Sequence, residues 1–450
     1  MTEGNLSRRG FIERSTAAMI GAGIPMWFAR EALADDAEKK AAEARKIGPN
    51  DEILVGLIGC GGQGLHVMKN ALQEKGVRLV AVCDVDANRR DKAVEEFVKH
   101  VAKGGGGLKP ESVAKFNDFR DLARRDDLDA VVVGTVDHWH ALTSIEAMKY
   151  GADVYCEKPL ALTIAEGQAM VKATHKYDRI FQTGNMQRSD ARYRLACELV
   201  RNGRIGKVHT VEARIGENPV GGPFKETEVP QGLDWDFWKG PTADVPYIKE
   251  KCHYDFRWWY EYSGGKLTDW GAHHNDIAQW GLGKDDTGPV AATAVGSDLP
   301  KDLAHNYNCH HDFAVNYEYV DGTRLVTTSV GENGNRFIGE NGWIFVSRGR
   351  IDASDPKLLS EPLGADAVKL YNSSNHMTNF IEGVRTRRRP ICDVEIGHRS
   401  AIVCHLGSIA LRLGRPVRWD PKAEQFTGPD ADKANAMVAR EYRSPWKLEA

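Results

Sequence analysis

The sequence predicts an α/β protein in two parts: a doubly wound parallel sheet over residues 51–188, then an α+β domain over 189–450 with a large, mostly antiparallel sheet. Three observations carry this. A buried-strand pattern, Ile53-Leu54-Val55-Gly56-Leu57-Ile58, runs into the glycine-rich turn Gly59-Cys60-Gly61-Gly62-Gln63-Gly64 and then a helical stretch over 65–74. Strands alternate with helices as far as residue 183, the rhythm of a parallel sheet with crossover helices. After Gln187 the rhythm changes to alternating strands with few helices between them, which reads as antiparallel.

In order, the second strand, Val77–Cys83, is followed by a helix over 86–101, a flexible glycine loop over 104–107, a short helix over 117–125 and a strand over 129–134. A helix over 141–150 leads into the apolar run 152–156, then a helix over 163–177 and a strand over 179–183. The next helix, 191–202, stops at Gly203, a C-cap residue, before a strand over 207–215. Residues 216–265 are rich in Pro, Gly and aromatics and too long for a simple connection, so they are predicted as a structured functional loop. Strands over 291–295, 312–319 and 325–329 and helices near 376–386 and 395–413 complete the chain, without internal repeats.

The glycine turn has specific chemistry. Gly59 permits a sharp exit from the strand, Gly61 lets backbone approach a pyrophosphate, and Gly64 lets the helix pack closely, while amides around Gly62 and Gln63 face the anion. The second strand ends at Asp84, 84 − 64 = 20 residues past the last glycine, the spacing at which a carboxylate meets the adenosine ribose in a Rossmann fold. Its charge repels a 2′-phosphate, so NAD is expected over NADP; Arg89 and Arg90 are the residues able to oppose that preference. Glu157-Lys158-Pro159 follows the run 152–156 and puts Lys158 at the carboxyl end of a parallel strand, facing the crevice where such sheets bind ligands. A hydride-transfer site belongs there.

Charges nearly balance, 60 Lys+Arg against 63 Asp+Glu, so no basic excess supports a nucleic-acid partner. Arg385, Arg387, Arg388 and Arg389 read as the charged end of a helix closing before Pro390. The eight cysteines lack C-x-x-C spacing, and Cys60, Cys83 and Cys404 sit in apolar runs, so they read as buried free thiols. Cys309-His310-His311-Asp312 leads into an alternating strand whose side chains face opposite ways, and no metal site is expected. At the amino terminus, Ser7-Arg8-Arg9-Gly10-Phe11-Ile12 precedes a small-residue apolar stretch over 15–29 and Ala32-Leu33-Ala34. This resembles a twin-arginine export signal over residues 1–34, followed by a charged linker over 35–50. Export to the periplasm or beyond is expected, without membrane anchoring after processing.

Four separated motifs now stand in order: the turn at 59–64, Thr135-Val136-Asp137-His138-Trp139-His140, Glu157-Lys158-Pro159, and Asp269-Trp270-Gly271-Ala272-His273. Together they resemble the Gfo/Idh/MocA oxidoreductase family over about residues 51–420. The resemblance implies an NAD-binding Rossmann domain and an open-faced sheet domain that covers the nicotinamide and forms homo-oligomer contacts, in a dimer or tetramer. It makes Lys158 the catalytic lysine, His273 the acid/base and Asp269 the aspartate of a D-x-x-x-H motif. Thr135 and His140, with Glu157, fall on the nicotinamide side. The family more often has proline at Val136 and asparagine at Asp137.

Chemistry assigns the same roles. Histidine titrates near neutrality and serves as base for a hydroxyl proton, while Lys158 donates to the reacting oxygen. If residues 269–281 are helical, Asp269 and His273 share a face at i, i+4 and the carboxylate orients the imidazole. The expected substrate is a sugar, cyclitol or glycoside. Trp235, Trp238, Phe256, Trp258, Trp259 and Tyr260 suit the apolar faces of sugar rings, although packing accounts for most of them. Asn185, Arg188 and His274 are placed at the substrate; the alternative for Asn185, Gln187 and Arg188 is an interdomain hydrogen-bond network. Two reactions fit: oxidation of a secondary hydroxyl with tightly held NAD, and redox-neutral cleavage of a glycoside through a transient keto-sugar. Outside the cytoplasm no comparable nicotinamide pool reoxidises NADH, which favours retention. Keeping both Lys158 and His273 argues against a non-catalytic sugar sensor.

Overall fold

The computed structural model describes residues 52–450 together with Met19, Gly23 and Ile24; apart from those three, the export signal and linker expected over 1–50 lie outside the described residues. Six parallel strands form the first sheet: β1 Ile53–Ile58, β2 Val77–Cys83, β3 Ala114–Phe116, β4 Ala130–Val133, β5 Asp153–Cys156 and β6 Phe181–Thr183. Their order is β3-β2-β1-β4-β5-β6. The order reverses between β1 and β4, so a crevice opens at the carboxyl ends of those strands. The connecting helices are α1 Gly62–Ala71, α2 Ala87–Lys103, α3 Phe119–Ala123, α4 His140–Lys149 and α5 Ile164–Tyr177. Their starts are written locally. Asp86 accepts the Asn88 and Arg89 amides at the head of α2, and Thr163 with Glu166 makes a reciprocal capping box on α5.

Nine strands form the second sheet: β7 Val208–Arg214, β8 Ala291–Gly296, β9 Phe313–Glu318, β10 Arg324–Thr328, β11 Gly334–Gly339, β12 Gly342–Val346, β13 Ile351–Ala353, β14 Val417–Asp420 and β15 Gln425–Thr427. The order is β13-β12-β11-β7-β10-β9-β8-β14-β15, and only β7 and β10 pair in parallel. Period-two alternation sends Phe313, Val315 and Tyr317 of β9 inward and leaves Asn316 and Glu318 exposed. The inner face packs against α6 Ala191–Arg201, α9 Gly271–Leu282 and α11 Val394–Leu413, numbered so that α7 Trp235–Lys239, α8 Lys266–Asp269 and α10 His376–Thr386 take their places in the chain. Val211, Tyr317 and Phe337 meet Leu199, Ile277 and Leu406 there.

The first sheet ends at Thr183 and the second begins at Val208, but the cores mix the two halves of the chain. α10 returns to the first domain, where Met377, Phe380 and Ile381 share a core with Val55 and Tyr155, and Phe380 meets the Tyr155 ring at 5.8 Å. Trp446, near the carboxyl end, lies 4.8 Å from Trp139 and 6.2 Å from Phe119. α10 closes at Arg387, left-handed at φ 57°, whose guanidinium reaches Asp153 at 2.5 Å, so one member of the arginine cluster ties the two domains together. All eight cysteines are buried free thiols. Phe380→Ala is expected to destabilise the chain by about 3–5 kcal/mol, because it empties a site 1 % exposed; a loss under about 1 kcal/mol in denaturant unfolding would show that α10 is not part of the first core.

Candidate active site

The cofactor cleft lies at the carboxyl ends of β1 and β4. β1 runs into Gly59 at φ +94°, where a Cβ would lie 2.6 Å from the Gly134 carbonyl, so glycine alone lets the turn pass. A Cβ on Gly64 would lie 2.0 Å from the Gly59 oxygen; without one, α1 seats directly on the loop. No side chain caps the head of α1, so its first amides are left for an anion. Asp84 lines the cleft, one oxygen accepting from Cys60 N (2.7 Å) and the other from Asp86 N (2.9 Å). Each carboxylate oxygen has two lone pairs and so retains capacity for a ribose hydroxyl. Burial, ahead of these hydrogen bonds, raises the Asp84 pKa. The buried Thr135 hydroxyl lines the same cavity and has no partner. A cleft of about 540 Å³ with a glycine loop, a carboxylate and an orphaned hydroxyl fits a dinucleotide. Arg89 also lines it, whereas Arg90 is turned to the Asp84 carbonyl at 3.3 Å.

The long loop closes over this cleft. Residues 231–234 bond to the segment after β2: Ala87 N donates to Gly232 O and Asp234 N to Val85 O, both at 2.9 Å, and the Asn88 amide donates to Gln231 O at 3.0 Å. The indole of Trp139 donates to Trp238 O at 2.9 Å, and His253, left-handed at φ 54°, sets Nε2 3.3 Å from Asp86. Trp235, Trp238, Phe256, Trp258 and Trp259 form one buried cluster, of which Trp238 and Phe256 line the cofactor cleft. The aromatic strip therefore builds a strap over the nucleotide. Tyr260 is held apart by its 2.8 Å contact with His310.

Beyond the cleft, Lys158 extends Nζ to Asp269 Oδ1 at 2.5 Å, and Arg257 lies 3.7 Å from the same oxygen. Burial works to raise the Asp269 pKa, but the charges of Lys158 and Arg257 outweigh it and the net displacement is downward. Glu157 accepts the Gln63 amide at 3.0 Å and so braces this loop against α1. His140 places Nδ1 2.8 Å from Pro159 O and Nε2 3.3 Å from Thr135 O, holding two loops in register rather than lining the cleft. His273 is 4 % exposed, its ring 6.0 Å from that of Trp270 and its Nδ1 unpartnered. Burial first, then the charges of Lys158 and Arg348, push its pKa well below the usual value, so it is a neutral base at neutral pH. Asp137 accepts Ser263 Oγ at 2.5 Å, and burial carries its pKa up to about 7.

Three sequence expectations change. Asp269 and His273 do not share a helix: α8 ends at Asp269, α9 begins at Gly271, and Asp269 orients Lys158 instead of the imidazole. Arg188 does not face substrate. Its guanidinium is buried against Asp276 (2.7 Å) and Asp285 (2.7 Å) and lies over the Trp280 ring, which makes it the interdomain joint. His274 is also enclosed, with Nε2 2.9 Å from Asn333 and Nδ1 3.3 Å from the Gln187 amide. Asn185 donates to Ala272 O at 3.2 Å and keeps a buried oxygen without a partner. Arg257, Ser263 and Arg348 are site residues the sequence did not single out. Arg257 and Ser263 lie in the loop flagged as functional; nothing local marks Arg348.

Residues 53–185 match the family model of an oxidoreductase NAD-binding Rossmann fold, and residues 221–448 match that of the same family's C-terminal alpha/beta domain. The chain belongs to the Gfo/Idh/MocA family. Its cofactor is NAD. Among curated relatives of this Gfo/Idh/MocA protein, a glycosyl hydrolase family 109 protein of Shewanella baltica is 31% identical over 218 residues, 46% of each chain. An alpha-N-acetylgalactosaminidase of Shewanella oneidensis is 30% identical over 218 residues, again 46% of each. The alignment thus spans about half the length of these relatives. Among solved structures, an aldose-aldose oxidoreductase from Caulobacter crescentus complexed with glycerol superposes with a TM-score of 0.60 at 22% identity, covering 82% of this chain and 100% of that one. A scyllo-inositol dehydrogenase from Lactobacillus casei with bound NAD(H) and scyllo-inositol gives 0.57 at 19% identity, covering 82% and 99%. At these identities the likeness is one of fold.

Two outcomes are expected. Binding titrations should show NAD preferred to NADP, and Asp84→Ser should narrow the gap; tighter NADP binding by the unmodified protein would assign control to Arg89. The raised pKa of Asp137 means that the native state loses stability as pH climbs from the unfolded carboxyl value toward about 7, with Ser263, Arg257, Asp269 and Lys158 facing the group. Asp137→Asn should therefore melt several degrees higher than wild type at pH 8 and close to it at pH 4. Parallel melting curves across that range would exclude the titration.

Proposed function

We propose that this protein is an oxidoreductase that acts on a secondary hydroxyl of a sugar, cyclitol or glycoside and keeps its NAD between turnovers. The observation that carries the reading is the meeting of Lys158 and Asp269 from opposite domains at 2.5 Å, beside an unpartnered, neutral His273 and a cofactor cleft closed by the strap. When bound, NAD supplies the hydride acceptor. His273 takes the hydroxyl proton, and the Lys158 ammonium, held by Asp269, donates to the same oxygen as its negative charge develops. The unpartnered Asn185 oxygen is a further acceptor for a substrate hydroxyl in this reading.

The strap supports retention. A segment tied down at Gly232, Asp234, Trp238 and His253 and packed on a tryptophan cluster forms one wall of the cleft. The export motif at residues 7–12, outside the described residues, supports the same reading, because an exported enzyme lacks a pool in which to exchange NADH. A second reaction is favoured by the family 109 relatives: redox-neutral cleavage, in which transient oxidation acidifies the neighbouring carbon and lets the glycosidic oxygen leave.

Protein purified without added nucleotide and then denatured should release about one NAD per chain. His273→Ala and Lys158→Ala should each lower turnover by orders of magnitude, roughly 10²-fold or more; His273→Ala should melt like the wild type, while Lys158→Ala, which deprives the Asp269 carboxylate of its nearest cation, should melt lower but stay folded at assay temperature. Nucleotide-free protein, or NADH accumulating in solution during steady state, would exclude retention. Free reducing sugar released from aryl glycosides without net NADH would select cleavage over net oxidation.

A further inference from the structure

A second cavity, of about 280 Å³, lies between the loop that runs from β5 into α5, the end of the long loop, α11 and the carboxyl-terminal segment. The turn at residues 135–139 separates it from the cofactor cleft: Thr135, Val136 and Trp139 line the cleft, while Asp137 lines the cavity. None of Lys158, Asp269 and His273 is among its lining residues, so a molecule bound in it sits apart from the reacting groups. Its volume falls just under that of the smallest drug-sized pockets, roughly 300 Å³, which suits one ring rather than a chain.

Asp137, His405 and Ser408 line the cavity, all more than nine-tenths buried, and each keeps a bonding group unused. Asp137, 5 % exposed, accepts the Ser263 hydroxyl on Oδ2 at 2.5 Å, and its Oδ1 has no partner among the described residues. Ser408, on α11 and 5 % exposed, carries a hydroxyl that bonds to no described residue. Neither atom is sealed off by protein, so both open into the cavity. His405, on the same helix, sets Nε2 3.1 Å from Ala161 O, which makes Nε2 the donor and leaves Nδ1 an acceptor. Burial holds its pKa at about 4, so the ring is neutral. Groups this deeply buried are normally partnered, and here the cavity is where the partners would sit.

The donor and acceptor set matches a ring bearing several hydroxyls. Asp137 Oδ1 has lone pairs for neighbouring hydroxyls, His405 Nδ1 accepts from another, and Ser408 can donate to a ring oxygen. Ile164 and Ile409 supply apolar wall, and Tyr260 adds only its ring, because its hydroxyl is taken by His310 at 2.8 Å. Ions of either sign are disfavoured: Arg412 and Arg440 in the lining oppose an ammonium, and Asp137 and Glu261 oppose an anion.

We propose that this cavity is a second ligand site, for a neutral ring polyol of the monosaccharide or cyclitol class, separate from the hydride-transfer centre. Binding alone reads it, so it does not rest on the oxidoreductase reading. The test is titration calorimetry on the protein as purified, with methyl glucoside, methyl galactoside and myo-inositol as probes. At least one probe should show a binding component that Asp137→Asn weakens about 10- to 100-fold, the range for a hydrogen bond to a charged group. Ser408→Leu, which fills the cavity from α11, should abolish that component, and so should Ala439→Trp, which blocks the cavity from an exposed lining position and spares the core. His273→Ala should leave it unchanged. Binding by none of the probes, binding that persists in Ala439→Trp, or binding lost in His273→Ala overturns the second site. Tighter binding of methyl glucosaminide or methyl glucuronide than of methyl glucoside at the Ala439→Trp-sensitive component overturns the neutral polyol in favour of a charged ligand.

Discussion

The buried joint between Arg188 and Asp276 is the constraint on which the site depends. Arg188 lies in the short turn after β6 and Asp276 lies on α9, three residues beyond His273, so their contact sets the height of the second domain's helix over the first domain's strands. A guanidinium 1 % exposed is tolerable only when its donors are met, and Asp276 and Asp285 take them from two sides while Trp280 covers the plane. Removing one partner from such a pair leaves an uncompensated buried charge, which typically costs about 3–5 kcal/mol. The energetic weight of the joint falls on registration: it lets Lys158 and Asp269, 111 residues apart, meet at hydrogen-bond distance.

Around this joint the electrostatics divide labour. Asp269 stays ionised because two cations outweigh its burial, while His273 is pushed toward neutrality by burial and by the same kind of cations. An ammonium donor and a neutral acceptor are thus held side by side, which is what removing a proton from a hydroxyl while supporting the emerging oxyanion requires. The strap adds a dry wall. Most of its aromatics pack on one another, as expected of them, while Trp238 and Phe256 also wall the cofactor cleft.

Much of the first domain was legible. Four of its strands are largely apolar runs, and several of its helices carry their own caps, as Asp86 and Thr163 show. β3, three residues long, has no pattern of its own and exists because the β2 edge recruits it. The second sheet was read as far as β10. β11 and β12 were missed because Gly334, Gly339 and Gly342 break the alternation; β11 takes its place from β7, more than a hundred residues upstream, and β12 follows it as a hairpin. The helix expected across Asp269 and His273 is divided at Trp270, so an i, i+4 spacing that promised one partnership gave way to another.

What the sequence determined by itself was whatever local backbone geometry demands: the glycines at 59 and 64, the carboxylate at the end of β2, and the placement of Lys158 at the end of β5. Those requirements are met within a few residues and leave a readable spacing. What only the tertiary structure decided was pairing: Asp269 with Lys158, Arg188 with Asp276, and the strap with the cofactor cleft. A charge's role depends on which other charges lie within a few ångströms and on how much water is excluded between them. Both are set by packing between segments far apart in the chain.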